Sequence, residues 1–219
     1  MSANETQASY DSVAGEYARR VFDELSSKPL DRDILDRFAE SVRGLGPVCD
    51  MGCGPGQVAR YLKDHGVDAF GLDLSPGMLQ QARRLNPDLR FEQGDMLALE
   101  AADGTWGGIA AFYSIIHIPH EKVVDALREL KRVLRPGGLL LLAFHLGDHV
   151  THVEEWWGER ISLDFTFFRR EEMEGYLASA GFQIEDAVER PPYPDVEYQG
   201  PRAYILARKP GRTDTTPQG

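Results

Sequence analysis

The sequence predicts an α/β protein, a Rossmann-like doubly wound sheet, mostly parallel, with helices on both faces. Three observations carry that prediction. Short apolar runs alternate with amphipathic helical stretches along most of the 219 residues. The run Leu139 to His145 is apolar throughout, as suits a central strand covered on both sides. A glycine cluster, Gly52-Cys53-Gly54-Pro55-Gly56, sits where the first strand hands over to a helix.

Each element has its own signal. Tyr10 to Val42 reads as helical: Val13, Tyr17, Val21 and Leu25 recur at helical spacing, and Ile34, Leu35, Phe38 and Val42 repeat the pattern after Pro29. Val48 to Met51 is the first strand, and Gln57 to His65 the helix after the glycines. Ala69 to Asp73 is the second strand. Ser75 then caps a helix with Pro76 at its first position, running to Leu85 and stopped by Asn86-Pro87. Leu89 to Gln93 and Trp106 to Tyr113 are the third and fourth strands. Glu121 to Leu134 is an amphipathic helix closed by Arg135-Pro136-Gly137-Gly138, ahead of the fifth strand. Residues 145–168, rich in His, Trp and acids, break the rhythm and read as an irregular insertion. Arg169 to Ala180 is helical and ends at Gly181, and Phe182–Glu189 and Ala203–Arg208 are the last strands. This divides the chain into a helical segment over 1–42, one domain over 43–210, and a polar tail over 211–219 that is expected to be disordered.

Composition narrows the function. The formal charge of −11 and pI near 5.0 argue against a nucleic-acid partner, whose phosphates call for Lys and Arg. No apolar run is long enough to span a bilayer, and the start has neither the basic nor the apolar part of a signal peptide. Cys49 and Cys53 are too few for a disulfide framework or a zinc site. A cytoplasmic protein without membrane contact, monomeric or homodimeric, is expected, with no metal.

The chemistry concentrates at strand ends, where such sheets bind ligands. Glycines after the first strand let a ligand approach the backbone closely. Asp73 ends the second strand, where a carboxylate can accept the two hydroxyls of a ribose. Asp95, after the third, can accept a hydrogen bond from an adenine amino group. The run Asp50-x-Gly52-x-Gly54-x-Gly56 resembles the acidic Gly-x-Gly-x-Gly motif of class I S-adenosylmethionine-dependent methyltransferases, of small-molecule type. Asp73 matches that family's ribose-binding acid, and Asp95-Met96 its adenine-contacting pair. Arg135-Pro136-Gly137-Gly138 and the opening Tyr10-Asp-x-x-Ala14-x-x-Tyr17 are similar to it too. The resemblance covers roughly residues 10 to 209. It implies a seven-stranded mixed sheet of order 3-2-1-4-5-7-6 with the last strand antiparallel, and residues 1–42 as a lid.

The resemblance further implies S-adenosylmethionine as methyl donor, leaving S-adenosylhomocysteine. Its binding set is Asp50, Gly52, Cys53, Gly54, Gly56, Asp73, Leu74, Met78, Gly94, Asp95, Met96, Tyr113 and Tyr17. A small-molecule acceptor offers an O, N or C nucleophile. His117 is the candidate base, because a neutral imidazole can take a proton near pH 7. Tyr10, His117, His145, Trp156, Trp157, Tyr193 and Tyr198 are the candidate acceptor contacts, the tryptophans as part of an aromatic lid. His145, Asp148, His149 and His152 lack a regular zinc spacing. Two other readings stay open: a nucleotide-cofactor oxidoreductase, although no third glycine completes G-x-G-x-x-G, and a non-catalytic nucleoside-binding module.

Overall fold

The computed structural model describes residues 2–211, so the expectation for the tail falls, from 212 on, outside the described residues. The chain opens with α1 (Ala3–Val21), and a 3₁₀ turn (Glu24–Ser27) leads into α2 (Pro29–Val42). Helix α1 starts well before Tyr10 because Ser2 and Glu5 close a capping box. The Ser2 hydroxyl accepts the Glu5 N–H at 3.3 Å, and the Glu5 carboxylate accepts the Ser2 N–H at 2.8 Å.

Strand and helix then alternate: β1 (Val48–Met51), α3 (Gln57–Asp64), β2 (Ala69–Asp73), α4 (Pro76–Leu85), β3 (Phe91–Gln93) and β4 (Trp106–Phe112). Helix α5 (His120–Val133) runs directly into β5 (Leu134–His145). The Arg135–Gly138 turn is therefore an irregularity inside that strand: Trp106 pairs with Leu134 and Gly108 with Leu139, the register shifting between them. Ser75 caps α4, its hydroxyl accepting the Met78 N–H at 3.0 Å. After an inserted segment come α6 (Arg170–Ala180), ended by Gly181 in the left-handed region, β8 (Gln183–Arg190) and β9 (Arg202–Arg208).

Seven strands form the main sheet in the order β3-β2-β1-β4-β5-β9-β8. The pairs from β3 to β5 are parallel, and β9 lies antiparallel to both β5 and β8. Counted within this sheet, that is the expected 3-2-1-4-5-7-6. Side chains of β5 divide between its faces by the strand's period of two. Leu140, Leu142 and Phe144 pack with α5 and α6, while Leu139, Leu141 and Ala143 pack with α2 and α3. Strand order reverses between β1 and β4, so the crevice for a ligand opens beyond their carboxyl ends.

Residues 145–168 are ordered, which corrects the sequence reading of an irregular insertion. They form an antiparallel hairpin of β6 (Val150–Trp156) and β7 (Glu159–Thr166). Trp156 pairs with Glu159 around the two-residue loop Trp157-Gly158, both residues at positive φ (56° and 86°), which makes a type I′ turn. Strand β6 is mostly exposed, and Val153 and Glu155 flank a register break, so the clean alternation of apolar and polar residues is confined to β7 and the residue after it, from Ile161 to Phe167. Ile161 and Leu163 are its buried anchors and pack against Val13 of α1.

Candidate active site

A cavity of about 340 Å³ opens at the switch point. Its walls include Gly52 and Gly54 from the turn after β1, and Asp73, Leu74 and Met78 from the end of β2 and the start of α4. Gly94, Asp95 and Met96 follow β3, Phe112 ends β4 with Tyr113, Ser114 and His117 after it, and Tyr10 and Tyr17 come from α1. Most of the predicted donor set is thus brought together. The turn packs tightly. A side chain at Gly52 (φ +70°) would collide with Ser114 Cβ, and one at Gly56 (φ +85°) would meet Phe91 at 2.8 Å and Asn86 at 2.9 Å.

Asp73 is buried, and its two oxygens accept backbone N–H groups of Gly54 and Ser75, each at 2.8 Å. Burial still prevails over those bonds and pushes its pKa up to about 6. Asp50 is absent from the cavity wall. Its carboxylate accepts the Ala59 N–H at 2.9 Å in the first turn of α3, and burial pushes it up to about 7. Cys53 and Gly56 also turn away from the opening. Cys53 packs with Ala59, Leu79 and Phe91, and burial raises its thiol pKa. Asp95 lines the cavity while its carboxylate accepts the Leu97 N–H at 2.9 Å.

On the other side His117 is held at both ring nitrogens. Nδ1 lies 3.0 Å from the backbone carbonyl of Asp164 in β7, and Nε2 lies 2.6 Å from the Tyr10 hydroxyl. A carbonyl only accepts, so Nδ1 carries the hydrogen, and the bare Nε2 accepts the Tyr10 O–H. Burial pushes the imidazole down to about 4, which keeps it neutral. Trp156 stands edge-on to Tyr10 and Tyr17 at 6.3 and 5.7 Å between ring centroids and stacks on Trp157 at 4.5 Å. Both tryptophans therefore back the tyrosines and do not line the cavity.

The other predicted acceptor contacts lie elsewhere. His145, at the end of β5, packs among Tyr113, Phe167 and Tyr198, its buried Nδ1 without a partner, and burial lowers it to about 3. Tyr193 accepts the Leu30 N–H at 3.0 Å and lies under the Arg190 guanidinium, and Tyr198 is 59% exposed. His149 stacks on Phe167, and His152 pairs with the Asp164 carboxylate at 2.7 Å. Among the described residues no group of three or more His, Cys, Asp or Glu could hold a metal ion.

Sequence reasoning missed Thr6, Phe112, Ser114, Ile118 and Lys122, all cavity residues. Thr6 lies one helical turn before Tyr10, so reading α1 back to its cap would have found it. Ser114 directly follows Tyr113, a predicted donor contact. Its Oγ is buried without a hydrogen-bond partner.

Residues 48–138 match the family described as a methyltransferase domain. Over that stretch the chain is similar to this family. Curated relatives include malonyl-[acyl-carrier protein] O-methyltransferase of Enterobacter lignolyticus, 34% identical over 119 residues (52% of this chain, 45% of that one). Another is demethylmenaquinone methyltransferase of Beutenbergia cavernae, 33% identical over 137 residues (61% and 55%). The matched segments thus span about half the length of these relatives. A solved complex of DhpI with S-adenosylhomocysteine shares the fold, with a TM-score of 0.73 over 96% of this chain and 98% of that one, at 19% identity. Among the described residues no helix is long and apolar enough to cross a membrane.

Proposed function

We propose that this protein transfers a methyl group from S-adenosylmethionine to an O, N or C nucleophile of a small-molecule metabolite. The observation that carries the reading is the convergence of Gly52, Gly54, Asp73, Asp95 and Met96 on one cavity at the switch point of a methyltransferase-domain sheet. The walls fit a nucleoside bearing a cationic amino-acid arm. Asp73 in the wall, and Asp50 behind it, are held short of full ionisation by burial, and Ser114 Oγ in the wall is left without a partner. When bound, the donor supplies an already activated methyl group.

The chain's own residues have less demanding work. Gly52 and Gly54 let the backbone approach the ligand. Asp73 offers acceptors for hydroxyls, and Asp95-Met96 face a base. Asp50, Cys53 and Gly56 shape the turn from behind. Helix α1 covers the cavity with Tyr10 and Tyr17, excluding water and aligning the acceptor. His117, neutral with its Nε2 taking the Tyr10 O–H, can receive a proton only by way of Tyr10. Relatives named as malonyl-[acyl-carrier protein] O-methyltransferase and demethylmenaquinone methyltransferase support a metabolite acceptor. The net charge of −11 disfavours a polyphosphate one.

Calorimetric titration with S-adenosylmethionine and S-adenosylhomocysteine tests the reading. Wild type is expected to bind both, and Asp73→Asn to lose at least tenfold in affinity. Absence of binding to either compound sinks the proposal.

A further inference from the structure

Hydrogen-bond polarity at the acceptor end of the cavity is fixed by groups that can only accept. The Asp164 carbonyl takes the Nδ1 hydrogen of His117 at 3.0 Å, and Nε2 of the same ring then takes the Tyr10 hydrogen at 2.6 Å. Tyr10 is left with lone pairs alone to present to a ligand. Turning its hydrogen toward the cavity would orphan Nε2 in an enclosed wall. Nε2 itself is already filled, so an acceptor meets the Tyr10 oxygen before it meets His117.

The same polarity recurs at Tyr113. The Asp31 carboxylate takes the Tyr204 hydrogen at 2.8 Å, so the contact between the Tyr204 and Tyr113 hydroxyls, at 3.0 Å, uses the hydrogen of Tyr113. The Arg190 guanidinium adds a third hydrogen bond to Tyr204 at 3.0 Å and confirms that oxygen as the receiving one. Two cavity tyrosines therefore have their hydrogens committed away from the ligand.

Charge points the same way. The carboxylates of Asp73 and Asp95 line the cavity, and among the described residues its one cationic wall residue is Lys122, which is exposed. Tyr10, Tyr17, Phe112 and Tyr113 supply flat apolar faces.

We infer that the site selects an aromatic acceptor carrying a neutral phenolic hydroxyl, read by the Tyr10 oxygen, and rejects a carboxylate of the same shape. A phenol brings the hydrogen that Tyr10 lacks, whereas a carboxylate sets its lone pairs against those of Tyr10, with the exposed Lys122 the one wall cation among the described residues to offset them. The inference rests on the methyltransferase reading and deepens it. Tyr10 is its specificity residue, and His117 acts through Tyr10 as a positioning residue.

The test uses the full chain saturated with S-adenosylhomocysteine, titrated with 1-naphthol and with 1-naphthoate at pH 7. Wild type is expected to bind the naphthol at least tenfold more tightly. Tyr10→Phe, which keeps the ring against Tyr17 and Trp156, should erase most of that ratio. His117→Leu frees the Tyr10 hydrogen and should move the ratio at least tenfold toward the naphthoate, a change that simple loss of packing does not produce. Equal or tighter naphthoate binding by wild type, no naphthol binding, or an unchanged ratio in Tyr10→Phe each overturns the inference. Failure of S-adenosylhomocysteine to bind at all removes the methyltransferase reading beneath it, a result separate from a wrong ratio in protein that does bind it.

Discussion

Asp50 stands at the end of β1 with its carboxylate enclosed and one oxygen taken by the Ala59 N–H. Burial pushes its pKa up to about 7, from 3.8. A folded-state pKa above the unfolded value means that the native chain holds a proton the unfolded chain has released. Stability from this group therefore falls as pH rises from about 4 to about 7. Asn at this position keeps an oxygen for Ala59 and cannot ionise. Asp50→Asn is expected to stabilise the unliganded protein at pH 8 by about 2–4 kcal/mol, with the gain gone at about pH 3.5, below the unfolded pKa. Thermal melts of both proteins at the two pH values measure this, and an equal or reversed gap at pH 8 counts against a buried, strained carboxylate. The same residue marks how far the sequence could be read. Its type and its place after a strand were legible, and so were Gly52 and Asp73. That its oxygen is spent on α3, and not on the cavity, depends on a contact nine residues away that no local pattern records.

Among the elements, α1 contributes most to the cavity while being a surface helix, seated on α4 and on the hairpin. Asp11 accepts the Ser75 hydroxyl at 2.6 Å and the Gly77 N–H at 2.8 Å, and Ser9 exchanges hydrogen bonds with the Ser162 backbone. Gly15 interrupts this helix at an exposed position, and a Cβ added there meets nothing within 4 Å. Gly15→Ala should stabilise the protein by about 1 kcal/mol through helix propensity and a less free unfolded chain. For a chain of this size that raises the melting temperature by roughly 2–4 °C in scanning calorimetry; a lower value would mean that α1 needs the glycine to sit on its neighbours. The strand–helix alternation made the sheet legible because each strand buries both faces and each helix one stripe. The hairpin gave no such signal. Its first strand is largely exposed, and its turn uses a tryptophan at φ 56° where Asn or Gly is the usual mark. Missing it also hid the role of Asp164, whose backbone carbonyl sets the polarity of His117.

At the scale of the whole molecule, the two ends of the chain are joined by a buried ionic network beneath Tyr113. Arg190 of β8 bonds Asp31 of α2 at 2.7 Å and also pairs with Glu197, and Glu197 in turn meets Lys28 at 3.3 Å and Arg202 at 3.2 Å. Both side chains of the central pair are almost fully enclosed, Arg190 at 5% and Asp31 at 1% exposure. In such a place the attraction between charges is set against a large cost of desolvation, so the pair as a unit adds little. Removing one partner is a different matter, because the other charge stays buried alone. Arg190→Met is therefore expected to cost about 3–5 kcal/mol, read as a fall in melting temperature of roughly 6–20 °C. The exposed pair of Arg37 with Asp186, at 57% and 46% exposure, joins the same two parts of the fold, α2 and β8, and serves as the internal comparison. Arg37→Met should cost no more than about 1 kcal/mol, since solvent screens that pair. Similar losses in the two variants would show that the network is hydrated and does not clamp the termini. A large loss confined to Arg190→Met would mean that the cavity wall at Tyr113 is held from behind by charges contributed from opposite ends of the sequence.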